Sequence, residues 1–226
     1  METSKNDRIL FSWLHLSDIH MLHGDEEYHA DQDLILNALT NEISNSIQQQ
    51  RVPSPDAIFV TGDIASTGAT RYENEYELAK NWLDQISEAT SLSRDETFLI
   101  PGNHDVQRNV YENNDTAAMI LDLLRDNKRK LEWALKKYSS ELESRFSNYL
   151  DFAQNYAPLC LPKYESNNQR LFWSYEPKIP SNNIRLHISG INTALLSQDD
   201  DDKGVLRVSL EQIRNIPELA GCRREN

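Results

Sequence analysis

The chain has 226 residues, of which 38% are hydrophobic, enough for one sizeable domain or one domain and part of another. Asp and Glu total 36 against 23 Lys and Arg, and this net charge of −13 argues against a broad basic face for nucleic acid, although bound cations can reverse the field locally. No apolar run approaches the roughly 20 residues that cross a membrane, and the N-terminus lacks a signal-peptide cleavage site. We therefore expect a soluble, cytoplasmic protein whose cysteines, Cys160 and Cys222, are free thiols.

Three short apolar segments in the first half of the chain run into polar residues. They are ILFSWLHLSDIH (9–20), DAIFVTGDIA (56–65) and TFLIPGNHD (97–105). Such runs are typical of buried parallel strands. Two stretches with helical spacing separate them, the first with Leu34, Ile35, Ala38, Leu39, Ile43 and Ile47 and the second with Tyr76, Leu78, Ala79, Trp82, Leu83 and Ile86. This βαβαβ order predicts an α/β fold with a parallel sheet.

The second half of the chain opens with a helical pattern over residues 113–157. One helix over residues 131–156 would be about 39 Å long at 1.5 Å per residue, long enough for an arm, a lid or a dimer surface. The alternative is a helix pair that breaks near Ser139 and packs on the body. Strand-like RLFWSYEP (170–177) and NIRLHISGINTALL (184–196) follow, and the acidic DDDDK (199–203) is interpreted as a solvated loop, with an extra cation site as the other interpretation.

Polar side chains at the ends of the three predicted strands are expected to meet, because ligands collect at the carboxyl edge of a parallel sheet. Asp18 and His20 are two residues apart, which puts both on one side of an extended backbone. Asp63 has two carboxylate oxygens and can bridge two cations. Asn103 adds a neutral oxygen, and His104 beside it offers an imidazole for proton transfer.

The donor types predict a particular chemistry. Carboxylate, imidazole and amide together suit Mn²⁺, Fe²⁺/Fe³⁺ or Zn²⁺ better than Ca²⁺ or Mg²⁺. Two such ions about 3.5–4 Å apart can clamp a phosphoryl group and turn a bridging water into hydroxide. His104 would then be the general acid, with Asp105 orienting its imidazole. The alternative is that each cluster closes an ordinary turn, but two of only seven glycines, Gly62 and Gly102, stand directly before the second and third clusters, which favours a metal site.

These clusters resemble the opening motifs of the calcineurin-like metallophosphoesterase family: Asp-x-His, Gly-Asp and Gly-Asn-His-Asp/Glu at strand ends. The resemblance is strong over residues 8–106. It implies a four-layer α-β-β-α sandwich over residues 8–226, with a helical insertion at 107–158 and a flexible N-terminus at 1–7. It also implies a two-metal centre and roles for five side chains: Asp18 and His20 bind one ion, Asp63 bridges, Asn103 binds the second ion and His104 is catalytic.

The later histidine motifs of that family are missing. The family completes its site with a histidine after another strand and then Gly-His-x-His, and the six histidines here form neither pattern. We therefore expect an incomplete sandwich, either the N-terminal portion of a longer domain or a truncated product, that binds its second metal weakly and is poorly active unless another chain supplies the remaining ligands. A fused C-terminal domain would also explain the incomplete end. His15 and His187 are interpreted as internal or paired strand residues, and His23 and His29 as residues within reach of a substrate.

Substrate class is only partly indicated. GDIASTG lacks the arginine that follows Gly-Asp in the Ser/Thr protein phosphatases of the family, whereas LHLSDIHM resembles bacterial phosphodiesterases that act on cyclic nucleotides, and also repair nucleases. The acidic balance favours a small phosphoester such as a nucleotide over nucleic acid. A DNA nuclease stays open, and so does a non-catalytic scaffold or sensor that uses helices 113–157 as a partner or oligomer surface.

Overall fold

The structure is a computed structural model, and it describes residues 9–109, 114–161, 172–178, 184–198, 202 and 206–214. The predicted flexible N-terminus at 1–7 and the predicted free thiol of Cys222 lie outside the described residues.

A three-stranded parallel sheet forms the centre of the fold. Its strands β1 (Trp13–Leu16), β2 (Ala57–Thr61) and β3 (Thr97–Ile100) pair in the order β1-β2-β3. Helix α1 (Glu26–Gln48) connects β1 to β2, and helix α2 (Glu75–Thr90) connects β2 to β3. Strand β3 is buried along its whole length, as expected for a strand covered on both faces. The predicted α/β class with a parallel sheet is confirmed.

The two connecting helices pack differently. The predicted apolar face of α2 is buried, at Tyr76, Ala79, Trp82, Leu83 and Ile86. Helix α1 has no buried residue, and Leu34 and Ile35 are 69% and 66% exposed. It meets α2 through Leu36 and Thr40, whose carbonyl and hydroxyl oxygens accept from the Trp82 indole N–H. Of the apolar residues at the start of this pattern, Leu34 and Ile35 are therefore exposed, whereas their neighbour Leu36 packs against the core.

A second, two-stranded sheet lies against the first. Strands β4 (Trp173–Tyr175) and β5 (Ile188–Gly190) are antiparallel. The Trp173 ring lies 6.3 Å from the Phe59 ring of β2 at an interplanar angle of 13°, and its indole N–H donates to the Leu99 carbonyl of β3. A side chain at Gly190 would overlap the Trp173 indole, so this close approach requires glycine. The two sheets agree with the predicted sandwich. The order of its four layers, and the expectation that the sandwich is incomplete, stay predictions.

The segment after β3 forms short helices that pack on the body. They are α3 (Asp115–Arg125), α4 (Leu131–Lys137), α5 (Ser139–Ser144) and α6 (Ser147–Tyr156). A single helix over residues 131–156 is wrong, because the backbone leaves the helical region at Tyr138 (φ −139°) and again at Phe146 (φ −114°). The predicted break near Ser139 is confirmed. The Phe152 ring of α6 stacks on Tyr76 of α2 at 5.1 Å, so this end of the segment belongs to the core.

One residue of the acidic run is buried. Asp202 is 6% exposed, accepts a hydrogen bond from the Arg125 guanidinium at 2.5 Å and another from the Gln198 N–H at 2.9 Å. The interpretation of this run as a solvated loop is therefore wrong at Asp202, because Arg125 at the end of α3 gives its charge a partner. The other four residues of the run lie outside the described residues.

Cys160 is a free, buried thiol, as predicted, and burial raises the pKa of this thiol to about 12.

Within the described part of the chain, the helices are too short or too polar for any of them to cross a bilayer.

Candidate metal centre

The ends of the three parallel strands bring their donor atoms together. The Nε2 atom of His20 lies 3.8 Å from Asp18 Oδ1 and 3.8 Å from Asp63 Oδ2. One donor atom from each of His20, Asp63 and His104 lies within 4.8 Å of the other two. Protein ligands sit about 2.0–2.2 Å from a transition-metal ion, so neighbouring ligands on one ion are about 3–4 Å apart. The donors therefore fit a shared divalent cation, and imidazole with carboxylate suits Mn²⁺, Fe or Zn²⁺.

The backbone that presents these donors is unusual. Asp18, His20 and Asp63 all have left-handed φ angles, of 55°, 48° and 52°. This conformation costs a non-glycine residue about 1–2 kcal/mol. Two loop hydrogen bonds hold it, from the Asp18 N–H to the Gly62 carbonyl at 3.2 Å and from the His20 N–H to the Asp63 carbonyl at 2.8 Å. Backbone strain held by its surroundings is common at functional sites.

The predicted local geometry of the first cluster was wrong in one respect. Strand β1 ends at Leu16, so Asp18 and His20 are in a loop and not in extended backbone. Their side chains still meet, because the loop follows the segment after β2 through the hydrogen bonds given above.

Two glycines allow the second and third clusters to touch. A Cβ atom on Gly62 (φ 100°) would lie 2.8 Å from Gly102 Cα, and one on Gly102 would overlap the carboxylate and backbone nitrogen of Asp63. Asp63 Oδ1 also accepts a hydrogen bond from the His104 N–H at 2.8 Å. The glycines that precede the predicted ligands in the sequence therefore have a physical role, which is close backbone approach.

We expect Gly102→Ala to weaken binding of Mn²⁺ by about 10- to 100-fold, the usual effect of disturbing the supports of a metal ligand. The added methyl group displaces the Asp63 carboxylate from its position beside His20. Calorimetric titration with MnCl₂ measures the affinity, and circular dichroism confirms that the variant is folded. A folded variant with native Mn²⁺ affinity would show that Asp63 needs no close approach at this point.

His104 is held by a backbone carbonyl. Its Nδ1 lies 2.9 Å from the Ser66 carbonyl oxygen, which can only accept, so Nδ1 carries the hydrogen. The other nitrogen, Nε2, is left for a cation or a substrate. The His104 ring lies 4.6 Å from the His20 ring and is perpendicular to it. Burial lowers the pKa of His20, against the raising effect of Asp63, and the neutral imidazole that results is the form that binds metal.

Asp105 does not orient His104, and this prediction was wrong. Asp105 is fully buried, and burial raises its pKa to about 6 against its hydrogen bonds from backbone donors. Its two carboxylate oxygens accept four hydrogen bonds of 2.9–3.2 Å, from the N–H groups of Ile64, Ala65 and Gly102 and from the Tyr76 hydroxyl. Asp105 therefore ties the loops after β2 and β3 together beneath the site.

A cleft of about 800 Å³ between the two sheets reaches the site, and both Asp63 and Asn103 line it. His15 lines it too and is exposed, so its predicted internal position was wrong: its Nε2 lies 2.6 Å from the Thr61 hydroxyl on the open face of the sheet. His187 stands just before β5 in the same cleft, with Nε2 3.9 Å from a Glu176 carboxylate oxygen, which agrees with a paired residue.

His23 lies on the loop after the first cluster, and His29 lies in the first turns of α1. The His23 ring is 5.6 Å from the His20 ring, and its Nδ1 is 3.4 Å from the Ser66 hydroxyl. The Nε2 atom of His29 lies 3.2 Å from the Leu22 carbonyl. Their reach to a substrate stays a prediction.

Comparison with known proteins decides the family. A family model described as calcineurin-like phosphoesterase matches residues 11–206, which is most of the chain. The chain belongs to the calcineurin-like phosphoesterase family. It is also similar to an uncharacterized metallophosphoesterase-like protein, YydB of Bacillus subtilis (strain 168), with 25% identity over 154 residues. That match covers 67% of this chain and 28% of the Bacillus protein, so the chain spans less than a third of that relative's length.

For a calcineurin-like phosphoesterase, several residues that hold the site were missed by the sequence analysis. Tyr76 was counted only as part of an apolar helix face, although its hydroxyl binds Asp105. Ser66 acts through its backbone carbonyl, which has no signature in a sequence. Glu75 stands in the first turn of α2, where acidic residues are common, so nothing marked it as unusual.

Proposed function

We propose that this phosphoesterase domain hydrolyses a phosphodiester or phosphomonoester with the help of two divalent metal ions. The observation that carries the proposal is the convergence of donor atoms from His20, Asp63 and His104 within 4.8 Å of one another. The adjacency of Asp18 Oδ1 to His20 Nε2 supports it further.

The metal ligands in this proposal are those of the three strand ends. Asp18 and His20 hold one ion, Asp63 is shared, and Asn103 serves the second ion, with Mn²⁺, Fe²⁺/Fe³⁺ and Zn²⁺ as the candidates. When bound, such ions supply Lewis-acid activation of the phosphoryl group and of the attacking water. Asp63 is 14% exposed and His20 24% exposed, so both donors are largely shielded from competing water.

His104 is the proposed general acid. Because its Nδ1–H is engaged by the Ser66 carbonyl, gain or loss of a proton takes place at Nε2 alone. The protonated ring can then give the Nε2 proton to the leaving oxygen of the ester. The backbone N–H of His104 also donates to the Asp63 carboxylate. This hydrogen bond fixes the position of His104 relative to the proposed shared ligand.

The proposed substrate is a small phosphoester, with nucleotides among the candidates. The net charge of −13 disfavours a long nucleic acid, because few cations are available for phosphates. A DNA nuclease is the alternative within the same chemistry. We also propose a cytoplasmic location. A fused C-terminal domain or a partner chain would supply the further ligands. Residues 113–157 would form the contact of an oligomer.

A non-catalytic scaffold or sensor is the second candidate function. This proposal starts from the fact that Gly-His-x-His does not occur within these 226 residues. A binding module, however, gains nothing from an imidazole fixed beside the metal donors as His104 is.

We expect the complete gene product to hydrolyse bis(p-nitrophenyl) phosphate when Mn²⁺ is present, and Asp63→Asn to lower this activity by about 100-fold or more, because the substitution removes the charge of the proposed shared ligand. Release of p-nitrophenol with and without chelator measures it. The matched control is Asp33→Asn, on the exposed face of α1. Turnover that persists in the presence of chelator would contradict the metal-dependent mechanism, and a complete lack of turnover in the native protein would favour the scaffold. Parallel assays with single-stranded DNA and a cyclic nucleotide separate nuclease from nucleotide hydrolase.

A further inference from the structure

Glu75 is a buried carboxylate that the proposed mechanism does not use. Its side chain, at the start of α2, is 0% exposed. One oxygen, Oε2, accepts from the backbone N–H groups of Thr67 at 3.0 Å and Ala69 at 2.9 Å, and the other accepts from the Thr67 hydroxyl at 2.7 Å. All three donors belong to the loop after Asp63. Burying a carboxylate is unfavourable unless hydrogen bonds replace its water, and here the loop supplies them.

The loop depends on such support for its shape. Gly68 and Ala69 both have left-handed φ angles, of 61° and 56°. The loop lies directly against the segment that follows His104, since a Cβ atom on Gly68 would be 3.0 Å from the Asp105 carbonyl oxygen. From its other side the Asn148 amide of α6 donates to the Gly68 carbonyl at 2.9 Å. The helical segment after β3 therefore helps to position this loop.

One peptide group links Glu75 to the proposed general acid. The N–H of Thr67 and the carbonyl of Ser66 belong to the same planar unit and point in opposite directions. Glu75 accepts from that N–H, and the same unit's carbonyl accepts from His104 Nδ1 at 2.9 Å. Rotation of this peptide plane would break both hydrogen bonds together. A carboxylate on the N–H side also polarises the amide and makes its carbonyl a stronger acceptor.

We propose that Glu75 is a positioning residue for His104, acting through the Ser66–Thr67 peptide group to fix the orientation and the Nδ1–H tautomer of the imidazole. The consequence for catalysis rests on the proposed function, whereas the tautomer itself does not. Glu75 reaches neither the metal donors nor the substrate in this assignment, since among the described residues its side chain accepts hydrogen bonds from the loop.

The first test reads the tautomer directly. ¹⁵N NMR of histidine-labelled complete protein without metal, at a pH of about 8.5 where ordinary imidazoles are neutral, reports which ring nitrogen carries hydrogen. His104→Asn identifies the signal. We expect a single Nδ1–H form in the native protein and a mixture of tautomers in Glu75→Ala. Glu75→Gln should keep the native form, because its amide oxygen still accepts from the Thr67 N–H. The matched control is Glu77→Ala, an exposed carboxylate on the same helix.

The second test is kinetic. Glu75→Ala should lower kcat at least about 10-fold with KM unchanged, and Glu75→Gln should restore most of the loss. A folded Glu75→Ala that keeps the native His104 tautomer overturns the inference, even if activity falls. A native enzyme without turnover would count against the proposed function, and the NMR result would still decide this inference. If Glu75→Ala fails to fold, Glu75→Asp replaces it, since it keeps the charge but withdraws the carboxylate by about 1.5 Å.

Discussion

Replacing His104 with asparagine is expected to lower kcat by about 10²- to 10⁴-fold on a substrate with a poor leaving group, the range that general acid catalysis contributes. The asparagine amide can still donate to the Ser66 carbonyl, which accepts from Nδ1 in the native protein, so the loop stays in place. What is lost is the proton on Nε2. The comparison of an alkyl phosphoester with a p-nitrophenyl ester measures this, because p-nitrophenolate leaves without protonation and its hydrolysis should fall much less.

The same pair of substrates serves as the internal control for His104→Asn. A donor atom of His104 also lies within 4.8 Å of those of His20 and Asp63, so a ligand role is the competing explanation. Equal losses on both esters, together with weaker Mn²⁺ binding in calorimetry, would make His104 a metal ligand and would contradict its role as the acid.

Removing the Asp105 carboxylate is expected to destabilise the folded state by about 3–5 kcal/mol. Asp105→Ala leaves three backbone N–H groups and the Tyr76 hydroxyl without their acceptor, and each buried unsatisfied group costs about 1–3 kcal/mol before relaxation. For a chain of this size that is a fall in the melting temperature on the order of 10 °C. Urea unfolding followed by circular dichroism measures the change in the free energy of unfolding.

The control for Asp105→Ala is Asp33→Ala on the exposed face of α1, which should change the free energy of unfolding by less than about 0.5 kcal/mol. Asp105→Ala with native stability but strongly reduced activity would contradict the structural role. It would point back to a direct influence of Asp105 on the chemistry at His104.

The parallel sheet and the position of the site could be predicted from the sequence. Short apolar runs separated by helical spacing fix a βαβαβ order, and parallel strands bring their carboxyl ends to one edge. The convergence of Asp18, His20 and Asp63 follows from that rule alone.

It was harder to predict which residues of a helix face the core. Leu34, Ile35 and Leu36 are all apolar, so spacing could not show that Leu36 faces inward while its neighbours are exposed.

The supports of the site could not be predicted, for physical reasons. Asp105 follows His104 directly, but adjacent residues outside regular structure have no fixed relation between side-chain directions, and these two side chains bind different groups. The acceptor of the His104 imidazole is a backbone carbonyl, which every residue possesses. Glu75 accepts from a loop six to eight residues earlier, and the left-handed backbone at Gly68 and Ala69 accompanies that contact.

Anomalous X-ray diffraction from crystals soaked in Mn²⁺ tests most directly whether donors from separate strand ends share one inorganic site. We predict a manganese peak about 2.0–2.2 Å from His20 Nε2 and from an Asp63 carboxylate oxygen, two atoms that lie 3.8 Å apart. Saturating Mn²⁺ that leaves no anomalous peak between these side chains would contradict the account.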